Sequence, residues 1–242
     1  MCEKIRTINT DMSDKETIVM SVGGSLIVPD QIDTVFLGNL KQFITSETAR
    51  GRRFIIIAGG GKTARRYQDA AAAVTDTKSD DLDWLGLHAT RLNGHLLRTI
   101  FRDIAHPVMI TNPDDILDIH DDAPLVIAAG YRPGASTDLR AIQIADRVKA
   151  HKVINLSNTD YVYTDNPKTN PDATKIEDIT WSEFRKLIPE TWDPGLSSPF
   201  DPVAAREAER LGIEVAAING TRLDALASYL DNQPFVGTKI HI

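Results

Sequence analysis

The sequence predicts an α/β fold built on a doubly wound, mainly parallel sheet. Short runs rich in β-branched residues are continuous in apolar character rather than alternating, as strands buried on both faces of a parallel sheet must be. Between them lie stretches with helical spacing, and strands alternating with helices make βαβ units joined by right-handed crossovers. Glycine-rich and polar segments follow the strands, where ligands of open α/β sheets bind.

The elements read in order as follows. Strands are predicted at TIVMSV (17–22), RFIIIA (53–58), HPVMIT (106–111), PLVIAA (124–129), KVINLS (152–157) and IEVAAI (213–218). From Asp83 to Ile104, Leu87, Arg91, Leu92, His95, Leu96, Thr99 and Ile100 recur at helical spacings. A second helix, Asp138 to Ala150, follows Ser136 and Thr137, both good N-cap types, and carries Leu139, Ile142, Ile144, Ala145 and Val148. From Thr159 to Pro199 the texture changes. Pro167, Pro171, Pro189, Pro194 and Pro199 punctuate a stretch holding Trp181, Phe184 and Trp192, which reads as a hairpin, a short helix and an active-site loop. The two tryptophans are expected to pack.

Composition bounds the function. The chain has 242 residues, 42% apolar and 25% charged, with a formal net charge of −7, which excludes fibrous and low-complexity classes. A negative balance argues against a nucleic-acid coat, because polyanion binding rests on Lys and Arg neutralising phosphates. One cysteine, Cys2, cannot form an intramolecular disulfide, which fits a reducing cytosol. The first twenty residues lack a signal-peptide core, and runs such as 54–61 and 123–130 fall far short of the ~20 residues a membrane span needs. A cytoplasmic protein without membrane or nucleic-acid partners is expected.

Glycine loops point to anions. Gly23-Gly24-Ser25 follows the first strand, and Gly59-Gly60-Gly61-Lys62-Thr63 follows the second and leads into a helix with Arg65 and Arg66. Glycine admits close backbone approach, and a helix start adds oriented N–H donors. Two such loops suggest two phosphate-bearing groups; the plain alternative is a pair of tight strand-to-helix turns. Gly61-Lys62-Thr63 is not a P-loop, since position 56, where that motif needs glycine, is Ile, and neither loop spells the dinucleotide fingerprint. The third loop, Gly130 to Asp138 (GYRPGASTD), could grip a polar base or sugar, or Ser136 or Thr137 could simply cap the helix. The fourth runs from Ser157 to Pro167, and the fifth from Gly195 to Pro202, where Asp201 and Pro202 open a helix.

Taken in order, GGSL (23–26), IAGGGKTARRY (57–67), DWLGLHATRLNGHLL (83–97), GYRPGASTD (130–138), NTDYVYTDNP (158–167) and GLSSPFDPVAAREAERLGI (195–213) resemble the amino acid kinase family, most closely its uridylate (UMP) kinases of archaeal type. The resemblance runs from about Thr17 to Ile240. It implies one domain over residues 1–242, a three-layer αβα sandwich with a flexible start (1–16), a UMP-binding half (about 17–150) and an ATP-binding half (about 151–242). It implies transfer of the ATP γ-phosphoryl group to UMP, with Mg²⁺ on the ATP phosphates, in a homo-oligomer of hexameric type. By position, Gly60, Asp83, Gly130, Gly134, Ala135, Ser136 and Thr137 fall where the family holds UMP. Gly23, Gly24, Ser25, Gly61 and Arg65 fall where it gathers ATP phosphates, and Ser157, Asn158, Tyr163 and Asn166 line the adenosine side. Asp138 and Asp201 take the places of the acids that organise the reacting groups.

The chain departs from that pattern at three places. Ser21 stands where the family has a Lys before the glycine pair, so Lys62 becomes the candidate cation for transfer; Asn166 replaces an Asp, and Tyr161 a Gly. A different acceptor, such as isopentenyl phosphate, and a non-catalytic nucleotide-binding assembly are the competing readings. Lys62 could be a solvated lysine, and Arg65 could pair with Asp69 one turn on. His88 and His95 are expected at a surface or interface rather than on a metal.

Overall fold

A computed structural model describes residues 16–119, 123–167, 169–191 and 198–242. Cys2 with most of the predicted flexible start, Trp192, and Gly195 to Ser197 of the fifth loop lie outside the described residues. In chain order the elements are β1 (Thr17–Val22), α1 (Gly24–Ile27), α2 (Thr34–Ala49), β2 (Arg53–Ala58), α3 (Gly61–Val74), α4 (Ser79–Ile100), β3 (Leu125–Ala128), α5 (Thr137–Val148), β4 (Lys152–Ser157), β5 (Val162–Tyr163), β6 (Lys175–Ile176), β7 (Asp178–Thr180), α6 (Trp181–Phe184), α7 (Pro202–Leu211), β8 (Glu214–Asn219), α8 (Leu223–Leu230) and β9 (Thr238–His241).

One sheet carries the strand order β3-β2-β1-β4-β8-β9-β7. Pairing is parallel from β3 through β8; β9 runs antiparallel to β8 and β7 pairs parallel with β9. Successive residues of each central strand serve opposite faces, so the apolar runs feed two cores. Val19, Ile55, Ile57 and Val126 pack with residues of α5, α6 and α7 on one side. Ile18, Met20, Phe54 and Ile56 pack with residues of α1, α2, α4 and α8 on the other. The result is the three-layer αβα sandwich. Trp181 is a core residue, 1% exposed, with its indole N–H donating to the Ile213 carbonyl at 2.9 Å.

The predicted strand at 106–111 is a correction. Only isolated bridges form there, Ala105 with Leu125 and Ile110 with Ala128. Pro107 brings no N–H to a ladder, and the Val108 N–H turns onto the His106 ring at 3.2 Å, so the edge is broken into two contacts. The long helix starts four residues earlier than expected, at Ser79, and ends at Ile100, and the predicted hairpin is β5 with β6.

Strands β1, β2 and β3 build outward in one direction, after which β4 pairs with the other side of β1. That reversal opens a crevice beyond the carboxyl ends of β1 and β4. The loops that follow β1, β2, β3 and β4 leave the sheet on this side, and Asp201 reaches it from the start of α7.

Candidate active site

The two glycine loops interlock at the mouth of the crevice. Gly23 donates its N–H to Leu156 of β4 at 2.8 Å, and Gly59 donates to Val22 of β1 at 2.9 Å. The chains then pass so closely that a Cβ on Gly24 would lie 1.9 Å from the Gly61 nitrogen, and one on Gly59 would lie 2.3 Å from the Gly24 nitrogen. Gly61 also has φ +62°, a conformation that disfavours any other residue. The N–H groups of Gly24, Ser25, Gly60 and Gly61 donate to no protein acceptor among the described residues. Four backbone donors concentrated beside two helix starts suit a phosphate. Lys62 and Arg65 project from the first turns of α3, both exposed, and neither side chain forms an ion pair among the described residues. The alternative Arg65–Asp69 pair does not form there; the neighbouring Arg66 pairs with Asp30 at 2.7 Å.

Behind the cradle sits a carboxyl pair. Ser21, buried near the end of β1, donates its hydroxyl to Asp138 Oδ1 at 3.2 Å, and the Asp201 N–H donates to Asp138 Oδ2 at 3.2 Å. Asp201 is the N-cap of α7, accepting from the Ala204 N–H at 2.6 Å. Burial, reinforced by the Asp201 carboxylate, raises the Asp138 pKa to about 7; the bonds from Asp201 and Ser21 oppose the rise only in part. Burial also raises Asp201, against the capping bonds that favour its charged form. Thus the position where the resemblance puts a lysine is a neutral donor to the acid it faces.

The third loop is fixed from below by α4. Thr90 Oγ1 accepts the Gly130 N–H at 2.9 Å; Arg91 donates to the Gly130 carbonyl at 3.0 Å and to the Tyr131 carbonyl at 2.8 Å. At the loop tip, Gly134 (φ +82°) donates its N–H to Asp83 Oδ2 at 2.5 Å, so the predicted Asp83 and Gly134 meet directly. Burial raises the Asp83 pKa against the pull of that N–H. Ser136 is indeed the N-cap of α5, accepting from Leu139 at 3.1 Å, while Ala135 and Thr137 flank it.

Across the crevice, Ser157 ends β4 and bonds Thr159, and Asn158 follows at the turn. Tyr163 lies in β5, and Asn166 closes the next turn, its carbonyl accepting from Asn170 at 2.9 Å. Tyr161 stands edge-on to Tyr163, with the Lys175 ammonium 4.9 Å over its ring. Asp160 accepts from Asn219 at 2.8 Å, tying the end of β4 to the end of β8. His88 is exposed and stacks on Trp84 at 5.9 Å, a surface pair as expected, and His95 is exposed as well.

Sequence reasoning quoted the TR-x-N segment without giving it a role. Its signal was present: Thr90 and Asn93 are polar residues at buried positions of a helix, which must bond something. Asn155 was also missed; it is buried in β4 and donates to the Pro199 carbonyl at 3.1 Å, anchoring the segment that presents Asp201.

The amino acid kinase family model matches residues 16–219. A uridylate kinase of Methanospirillum hungatei is 32% identical over 225 residues, covering 93% of this chain and 94% of that protein. A uridylate kinase of Pyrococcus abyssi is 32% identical over 210 residues, covering 86% of this chain and 92% of that one. Among solved structures, uridylate kinase from Archaeoglobus fulgidus superposes with a TM-score of 0.78 at 26% identity, over 93% of this chain and 99% of its own. With sheet order, crevice and near-full-length similarity in agreement, this chain belongs to the amino acid kinase family.

Proposed function

We propose that this protein is an ATP-dependent UMP kinase, transferring the γ-phosphoryl group of ATP in line to the phosphate of UMP. The observation that carries the reading is the near-full-length similarity to proteins named uridylate kinase. The site chemistry supports it, because phosphoryl transfer asks for positioning and charge compensation more than for covalent participation. In this reading the acceptor phosphate meets the Gly60 N–H, with Asp83 on the nucleoside and Gly130, Gly134, Ala135, Ser136 and Thr137 around the base. The donor phosphates meet Gly23, Gly24, Ser25, Gly61 and Arg65, and the adenosine lies along Ser157, Asn158, Tyr163 and Asn166. In this reading residues about 17–150 form the UMP half, which also lends its glycine loops and Arg65 to the ATP phosphates, and residues about 151–242 form the ATP half that holds the adenosine.

Lys62 is the cation assigned to the transferring phosphoryl group, since Ser21 is neutral and already engaged by Asp138. Asp201 holds Asp138 and the start of α7 in place. Mg²⁺ would be held on the ATP phosphates and would supply further charge compensation, with Asp138 organising the reacting groups beside them. A homo-oligomer working in the cytoplasm completes the reading; Trp84 and Leu92, 43% and 63% exposed on α4, offer it an apolar surface.

The test is a coupled ADP-release assay with UMP, CMP, dUMP and isopentenyl phosphate as acceptors. Turnover is expected with UMP in preference to isopentenyl phosphate. The reverse order replaces the acceptor, and ATP binding without turnover on any of the four overturns the kinase reading.

A further inference from the structure

Asn93 lies in the middle of α4, 3% exposed, and its side-chain amide donates to two successive carbonyls, Gly59 at 2.7 Å and Gly60 at 3.1 Å. No ligand can reach a group so enclosed, so whatever Asn93 does for the site it does through the glycine loop. In a trans peptide unit the C=O and N–H point in opposite directions within one plane, and no cis peptide occurs among the described residues. Fixing the Gly59 carbonyl therefore fixes the Gly60 N–H on the other side, and fixing the Gly60 carbonyl fixes the Gly61 N–H. Those are two of the donors left without a protein acceptor. Left to itself this stretch has little to hold it, because glycine has the widest choice of backbone conformation.

The surroundings agree with a positioning role. α4 presses on the loop, so that a Cβ on Gly60 would lie 3.3 Å from the Gly86 carbonyl oxygen and 3.6 Å from Ala89 Cβ. Three residues before Asn93, Thr90 takes the Gly130 N–H, and Arg91 takes the Gly130 and Tyr131 carbonyls. One helix thus registers the glycine cradle against the third loop.

We infer that Asn93 is the positioning residue of the phosphate cradle: its bridging amide aims the Gly60 N–H at the acceptor phosphate and the Gly61 N–H at the donor phosphates, while Thr90 and Arg91 hold the acceptor loop at the matching distance. The inference deepens the UMP kinase reading and rests on it. Misaiming the pre-oriented Gly60 donor should weaken the hold on the UMP phosphate and leave the rest of that nucleotide bound as before.

Calorimetric titration with UMP and with uridine, which lacks the phosphate, separates these contributions in the full-length protein. Asn93→Ala is the first variant. Asn93→Ser is the second; it keeps a small polar group in the pocket but is too short to span both carbonyls. In either variant, UMP affinity is expected to fall about tenfold or more while uridine affinity stays at the wild-type value. Unchanged UMP affinity in either variant overturns the inference, and so does an equal fall for UMP and uridine, which would make Asn93 scaffold alone. Wild-type protein that binds UMP no tighter than uridine would sink the functional reading and the inference together. Wild-type preference for UMP that survives both substitutions sinks the inference alone.

Discussion

At the scale of single residues, Asp138 is held away from its ordinary protonation state, and the effect has a measurable sign. Its folded-state pKa lies near 7 against an ordinary 3.8, because burial and the Asp201 carboxylate disfavour the ion. Below about pH 4 the group is protonated whether the chain is folded or not, and it imposes no penalty. As pH rises toward 7 the unfolded chain ionises while the folded one keeps its proton, so stability is lost across that window and the loss is constant above it. Asp138→Asn removes the titration. Its urea midpoint should exceed that of the wild type at pH 8 by the equivalent of a few kcal/mol, and the gain should vanish near pH 4. A gain of equal size at both pH values would contradict the burial argument. Turnover should fall in the same variant, which would mark a strained residue kept for activity. Lys62 presents the opposite case, an exposed cation with no ion-pair partner among the described residues, whose loss should leave stability nearly untouched. Lys62→Ala should lower kcat by about 10² or more if the ammonium compensates transferring charge; kcat within a factor of a few of the wild type removes it from the catalytic set.

At the scale of elements, the glycines fall into two physical classes that the sequence does not distinguish. Gly24 is forced by a neighbouring backbone, since its Cβ would lie 1.9 Å from the Gly61 nitrogen. Gly38, inside α2, meets nothing within 4 Å and is exposed. Gly24→Ala should therefore separate the two loops and abolish UMP binding, whereas Gly38→Ala should stabilise the fold by about 0.5–1 kcal/mol through helix propensity. Thermal melts and UMP titration of the pair check both, and a Gly24→Ala protein that binds UMP normally would refute the interlocked-loop geometry. The same contrast explains what was readable beforehand. The strands at 17–22, 53–58 and 152–157 were legible to the residue, because burial on both faces imposes a continuous apolar run. Residues 106–111 have a similar composition, but Pro107 and its edge position break the ladder. The carboxyls were legible by motif, yet the bond from Ser21 to Asp138 spans 117 positions and has no local signature. Asn93 was visible only as a letter in a segment, because what gives it a role is the pair of carbonyls more than thirty residues earlier.

At the scale of the whole molecule, the strand order divides the crevice into two flanks that meet at β1. Toward β2 and β3 lie the glycine loop at 59–61, Asp83 and the loop at 130–137, joined by the bonds from α4. Toward β4 and β8 lie Ser157, Asn158 and the β5–β6 hairpin, joined by Asn219 to Asp160 and by the Gly220 N–H to the Ser157 carbonyl at 2.9 Å. Gly23, bonded to Leu156, and Gly24, packed on Gly61, sit on the seam. Each flank is braced internally, so each substrate should order its own flank first and the seam second. Amide hydrogen exchange gives this a direct reading, because protection reports local opening of hydrogen-bonded units. UMP alone should slow exchange at 59–61 and 130–137 and leave 157–166 near the apo rate. A non-hydrolysable ATP analogue with Mg²⁺ should protect 157–166 and Gly61 and leave 130–137 near the apo rate, and both ligands together should protect Gly24 and Ser25 beyond either one. Protection of 130–137 by the ATP analogue with no change at 157–166 would exchange the two halves, and with them the assignment of donor and acceptor.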